Sequence, residues 1–146
     1  MLDNPCASAL ATTLLRVSLG VMFLAHGLVL KILTFGLAGT VGFFESVGLP
    51  GSLAYLVVFA ETLGGGLLIL GIQTRTVALA LSPILLGSLI VHGGNGWVFS
   101  APNGGWEYPV YLFVLCVAQA LLGNGAYALG PVLTKSRRSA AAATSA

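Results

Sequence analysis

Glu61 stands near the middle of an otherwise apolar run, residues 53–70, and an ionisable carboxyl at that depth is costly unless the chain uses it. His26 and His92 lie in other apolar stretches. An imidazole titrates nearest neutrality, so a carboxyl and imidazoles sharing an enclosed space could accept and deliver protons. Glu61, His26 and His92 are therefore the candidate catalytic residues, and Arg16, Lys31, Glu107 and Gln119 are the candidate ligand-binding or polar-network residues around them.

Other chemistries find less support. The histidines fall on different predicted helices with no H-x-x-H or H-x-x-x-H spacing, so no metal-ligand set is expected, and equal height alone does not establish haem ligation. Cys6 precedes the first helix and Cys116 is inside the last, with no C-x-x-C, so a thiol relay is unsupported and each cysteine reads as a small apolar filler. Gly64-Gly65-Gly66 has no following Lys-Ser or Lys-Thr and reads as packing surface. No nucleophile with an adjacent base can be named.

The elements that must hold these residues follow from composition. Hydrophobic residues make up 57% of the 146, charged residues only 7%, and the mean hydropathy is +0.99, which describes an all-α integral membrane protein. A net charge of +2 excludes nucleic acid as a partner. Apolar segments at 10–33, 53–72, 76–91 and 109–129 predict a four-transmembrane-helix bundle. The third carries Pro83, which should kink it. Pro50-Gly51-Ser52, Gly71, Thr74 and Pro109 punctuate the boundaries.

Arg16, Arg75, Lys135, Arg137 and Arg138 fall on the side of the termini, and Lys31 lies near the opposite face. By the positive-inside rule both termini are cytoplasmic. The expected organisation is an N-terminal cytoplasmic segment 1–9, a membrane domain 10–130 and a flexible basic tail 131–146. The first apolar stretch contains Arg16 and His26 and has no small-residue cleavage site, so it is expected to be retained. Residues 35–51, with Phe43 and Phe44, predict a short interfacial helix between helices one and two, its aromatic face toward lipid. The glycine-rich stretch 93–106 holds Trp97 and Trp106 and reads as a headgroup anchor or a lid.

Counting from the inner helix ends, Glu61 and Gln119 share a level roughly 15 Å up, and His26 and His92 share one roughly 24 Å up. Because Cβ atoms lean toward helix N-termini, His26 and Glu61 should converge, whereas Arg16 would need a long reach to meet Glu61. Two readings stand. In one, Arg16, Glu61, His26 and Gln119 form a structural network that keeps the helices in register, helped by close approach at Ala60 and Gly64. In the other, Glu61, His26, His92, Lys31 and Glu107 line a pocket open toward the outer leaflet.

Leu15-Arg16, Gly20, Phe23, Ala25-His26-Gly27 and Lys31 resemble the opening helix of the DoxX family of small bacterial inner-membrane proteins. Gly48-Leu49-Pro50, Glu61, Gly64-Gly65, Gly71 and Thr74-Arg75 are similar to its second helix and inner turn. The likeness continues through His92 and Glu107 to Gly123-Asn124-Gly125-Ala126-Tyr127. Where relatives tend to carry a basic residue and Ser-Leu-Asp after the glycines, this chain has Ala126 and Ala128-Leu129-Gly130, so that acid has no counterpart. The resemblance implies a four-helix inner-membrane protein. It also implies a role beside quinol oxidase or thiosulfate:quinone oxidoreductase subunits, although distant relatives act as maturation factors or cargo receptors.

The expectation is thus a small membrane subunit of a respiratory or redox complex. Glu61 and His26 would contact quinone or a proton path, other membrane or redox subunits would supply the electrons, and self-association would occur through Gly and Ala faces. Such a chain would be at most an accessory subunit with no cofactor of its own. The alternative is a non-catalytic scaffold or small-solute carrier.

Overall fold

The computed structural model describes residues 4–133, and every regular element in them is helical. Helix α1 spans Pro5–Leu24 and runs without a break into a π-helical segment, Ala25–Thr34. Helix α2 (Gly36–Ser46), α3 (Gly51–Leu70), α4 (Thr74–His92), a 3₁₀ turn (Gly93–Asn95) and α5 (Glu107–Leu122) follow. Lys135, Arg137 and Arg138, with most of the expected basic tail, lie outside the described residues.

Local chemistry sets these boundaries. The Asn4 side chain accepts from the backbone of Cys6 and Ala7 and Pro5 opens the helix, so α1 starts five residues before the expected 10. Gly71 at φ 68° ends α3, and the Ile72 amide returns to the Leu67 carbonyl at 3.0 Å, a left-handed cap that hands the chain to α4. Pro83 lies inside α4 and removes the donor for the Leu79 carbonyl. The Ser82 hydroxyl donates to that carbonyl at 2.8 Å instead.

Pro5–Thr34, Gly51–Leu70 and Thr74–Asn95 are long and apolar enough to cross a membrane. The fourth expected crossing, 109–129, is shorter in the structure. Helix α5 stops at Leu122 because Gly123 (φ 88°), Gly125 (φ 66°) and Tyr127 (φ 54°) adopt left-handed backbone that a helix cannot continue. The chain instead turns under the bundle. The Ala126 amide donates to the Ala9 carbonyl at 3.2 Å, and the Gly130 amide to that of Gly71 at 3.1 Å.

The core lies where α1, α3, α4 and α5 meet, around Leu19, Phe23, Leu68, Leu81, Leu112 and Cys116. Helices α1 and α3 approach most closely at Gly20 and Gly65, since a Cβ at Gly20 would lie 2.8 Å from the Gly65 carbonyl oxygen. Of the anticipated Ala60 and Gly64 pair, Gly64 instead receives Leu81 of α4. Helix α2 fills the connection where a short helix is expected, but Phe44 is buried while Phe43 is exposed. Its aromatic residues therefore divide between protein and surroundings rather than forming one lipid-directed face.

Candidate functional site

Helix winding decides the site. Within the π-helical segment the Phe35 amide and the Thr34 hydroxyl both bond carbonyls five residues back, Leu30 and Val29, each at 2.9 Å. Residues five apart in an α-helix are rotated by about 140° from one another, whereas i→i+5 winding brings them close to one face. His26 and Lys31 are five apart, and both line the same cavity. Gly27 lets this segment lie against α3: a Cβ there would stand 2.7 Å from the Thr62 hydroxyl and 2.9 Å from the Glu61 Cβ.

Lys31 Nζ donates to Glu61 Oε2 at 2.5 Å, the one ion pair among the described residues. Both side chains are well covered, with exposures of 19% and 6%. The Thr40 hydroxyl of α2 donates to the Lys31 carbonyl at 2.9 Å and steadies that turn. His26 Nδ1 stands 2.9 Å from the Met22 carbonyl, which can only accept, so Nδ1 carries the proton and Nε2 is the free ring nitrogen. The imidazole stacks on Tyr108 of α5, ring centroids 6.2 Å apart.

The pair borders a cavity of about 570 Å³ between α3 and α4, to whose lining α1, the π-helical segment, α2 and α5 also contribute. Its walls are apolar, with Phe23, Leu53, Ala60, Ile84 and Leu112 prominent. Its polar lining is Lys31, Glu61, His26, His92, Tyr108 and Ser88. Such a volume, with a few convergent polar groups in an apolar wall, is that of a small-molecule site.

Four of the five residues expected around a pocket, Glu61, His26, His92 and Lys31, meet in this cavity. The pairing differs from the anticipated one. Glu61 bonds to Lys31 rather than to His26, because the π winding turns Lys31 inward and its length covers the remaining gap. His92 lies at the C-terminal end of α4, its Nδ1 2.9 Å from the Asn103 carbonyl. Glu107 does not line the cavity; its carboxylate accepts from the Phe99 amide at 2.9 Å and closes the loop that also packs Trp97 against Trp106.

Arg16 and Gln119 serve the other end of the bundle. Arg16 is 1% exposed and donates to the carbonyls of Leu68 (2.8 Å), Ile69 (2.9 Å) and Ala126 (3.2 Å), so the C-terminal carbonyls of α3 answer its charge. Gln119 donates to the Gly123 carbonyl at 2.6 Å. It does not share a level with Glu61, because α5 ends at Leu122 and leaves Gln119 in its last turn. Tyr108 and Ser88 were not anticipated; the one sequence signal for Tyr108 is its place beside Glu107 at the head of the last apolar segment. Among the described residues, no three Cys, His, Asp or Glu side chains converge as a metal-ligand group would.

The family model DoxX matches residues 11–94. Over 130 residues, 88% of this chain and 91% of the relative, the chain is 35% identical to the Bacillus subtilis (strain 168) protein named "Putative oxidoreductase CatD". Over 110 residues, 68% of this chain and 76% of the relative, it is 36% identical to "Inner membrane protein YqjF" of Escherichia coli (strain K12). No solved structure matches the chain.

Proposed function

The chain belongs to the DoxX family of membrane proteins, and on that premise we propose that its cavity binds the ring of a lipid-soluble quinone within a respiratory or redox assembly. The observation that carries this reading is a covered ion pair, Lys31–Glu61, the one such pair among the described residues, at the edge of a largely apolar cavity of about 570 Å³. A quinone ring is flat and apolar with carbonyl oxygens at its ends, so it needs greasy walls and a donor. The Lys31 ammonium has hydrogens beyond the one given to Glu61 and can donate to a carbonyl oxygen. His26 Nε2 and the Tyr108 hydroxyl stand by to accept or pass a proton. Reduction of the bound quinone would draw its electrons from a partner subunit. The oxidoreductase name of the Bacillus subtilis relative supports this class of chemistry.

In the same reading α5 is a fourth crossing. Its 16 residues span roughly 24 Å at 1.5 Å per residue, and the chain's return beneath α1 and α3 completes the inner face. Both termini then face the cytoplasm, on the side of Arg16, Arg75 and the basic residues of the tail. The name of the Escherichia coli relative favours the inner membrane. Gly and Ala on the outer faces of the helices would allow self-association or contact with other subunits.

The test is a comparison of three variants in nanodiscs, reading the thermal shift produced by a short-chain quinone. Lys31→Met or Glu61→Gln alone strands a covered partner and should destabilise by about 3 kcal/mol. The double variant Lys31→Met/Glu61→Gln leaves no orphaned charge and should recover most of that stability, yet lose the quinone shift. A double variant that still responds to quinone as the wild type does would refute the reading.

A second reading has its own observation. Arg16 and Gln119 are fully buried and bonded to backbone carbonyls, which suits a scaffold whose polar groups hold helices together. Under that reading the Lys31–Glu61 pair only fastens the π-helical segment to α3, and no quinone shifts the melting of any variant.

A further inference from the structure

Of the residues that line the cavity, Phe43 on α2, Leu56 on α3, Ala80 and Pro83 on α4 and Tyr108 on α5 are exposed, and Leu56, Ala80 and Pro83 mark an opening between α3 and α4. Helix α4 runs 19 residues, Thr74–His92, and Ala80 and Pro83 stand near its middle. Pro83 is roughly 13 Å from the outer end of α4 at 1.5 Å per residue, close to the midplane of a hydrocarbon layer ~30 Å thick. The part of the opening bounded by Ala80 and Pro83 therefore faces acyl chains.

Packing explains why the gap exists. Helices α3 and α4 touch where Gly64 receives Leu81, since a Cβ at Gly64 would lie 2.9 Å from that side chain. Above this contact the cavity separates them. Small residues keep its edge low: Ala60 on α3, and Ala80 and Gly87 on α4, all line it, and a Cβ at Gly87 would meet nothing within 4 Å. Among the described residues, the charged side chains that line the cavity are Lys31 and Glu61. The ion pair is set apart, against the π-helical segment.

Resting on the reading of the cavity as a quinone site, we infer that the ligand is a ring on a long hydrocarbon tail that enters sideways between α3 and α4. The ring advances to Lys31–Glu61, and the tail passes out between Leu56, Ala60, Ala80 and Pro83 into the bilayer. A water-soluble solute would have to cross acyl chains to use this mouth. A tailed amphiphile already resides there.

The experiment uses the full chain in nanodiscs and compares a tailless benzoquinone with its decyl derivative, both dosed per lipid, by the rise each gives in melting temperature. Wild type should respond to both. Ala80→Trp and, as a second variant, Gly87→Phe narrow the mouth without touching the ion pair. Each should keep the tailless response and lose at least two thirds of the decyl one. Ile90→Trp, at an 81% exposed position that does not line the cavity, should keep both. A full decyl response in both mouth variants overturns lateral entry, and so does equal loss of the two ligands. If neither ligand shifts the wild type, the quinone reading itself fails and lateral entry falls with it.

Discussion

Charges inside an apolar chain persist only where something answers them, and this chain answers its buried charges in different ways. Lys31 and Glu61 answer each other beside a cavity. Among the described residues Arg16 has no acidic partner; its guanidinium gathers carbonyls from the end of α3 and from Ala126, fastening the returning chain to the bundle. Arg16→Met should therefore cost about 3 kcal/mol or more, because charge-assisted bonds to several carbonyls are lost together. Arg16→Lys should recover only part, since an ammonium lacks the planar fork that reaches carbonyls on two segments. Thermal melting in nanodiscs measures both. The rise in melting temperature produced by quinone should persist in each variant, and its loss would move Arg16 into the site. Residue type alone was enough to single out Glu61, His26, Lys31 and Arg16, because each is anomalous in lipid. Their partners were not legible, since a partner depends on rotation about the helix axis, and one change of winding alters it.

At the scale of elements, that change is the π-helical segment. Five-residue spacing in a π winding does what four-residue spacing does in an α-helix, so Ala25–Thr34 behaves like an α-helix carrying extra chain. Deleting Val29, an exposed residue between His26 and Lys31, should let the segment relax toward α geometry with the two side chains still on one face. That variant should melt near the wild type and keep its quinone response. Deleting exposed Val21 from α1 should instead rotate everything beyond it by about 100° relative to Arg16 and disrupt the fold. If both deletions melt equally low, the π winding is needed for its own sake. Hydropathy had located the four apolar segments, but it is blind to winding. It also carried the last segment past Leu122, because the residues after that point remain largely apolar while Gly123, Gly125 and Tyr127 turn the backbone away.

For the whole molecule, the open proposal is its orientation. Cys6 is exposed at the start of α1 and Cys116 is buried in α5, so the wild type carries a ready reporter. A membrane-impermeant maleimide should label Cys6 in inside-out vesicles and spare it in right-side-out ones. The reverse pattern would place the N-terminus outside. The chain's all-helical character, its membrane residence and its family follow from composition and motif order, because hydrocarbon leaves a backbone few ways to satisfy its hydrogen bonds. The ion pair, the cavity beside it and the separate duties of Arg16 and Gln119 emerge only when the helices are packed. Those features depend on winding, on glycine contacts that set how near two helices lie, and on where the last helix ends, and these are relations between segments that no single stretch of residues contains.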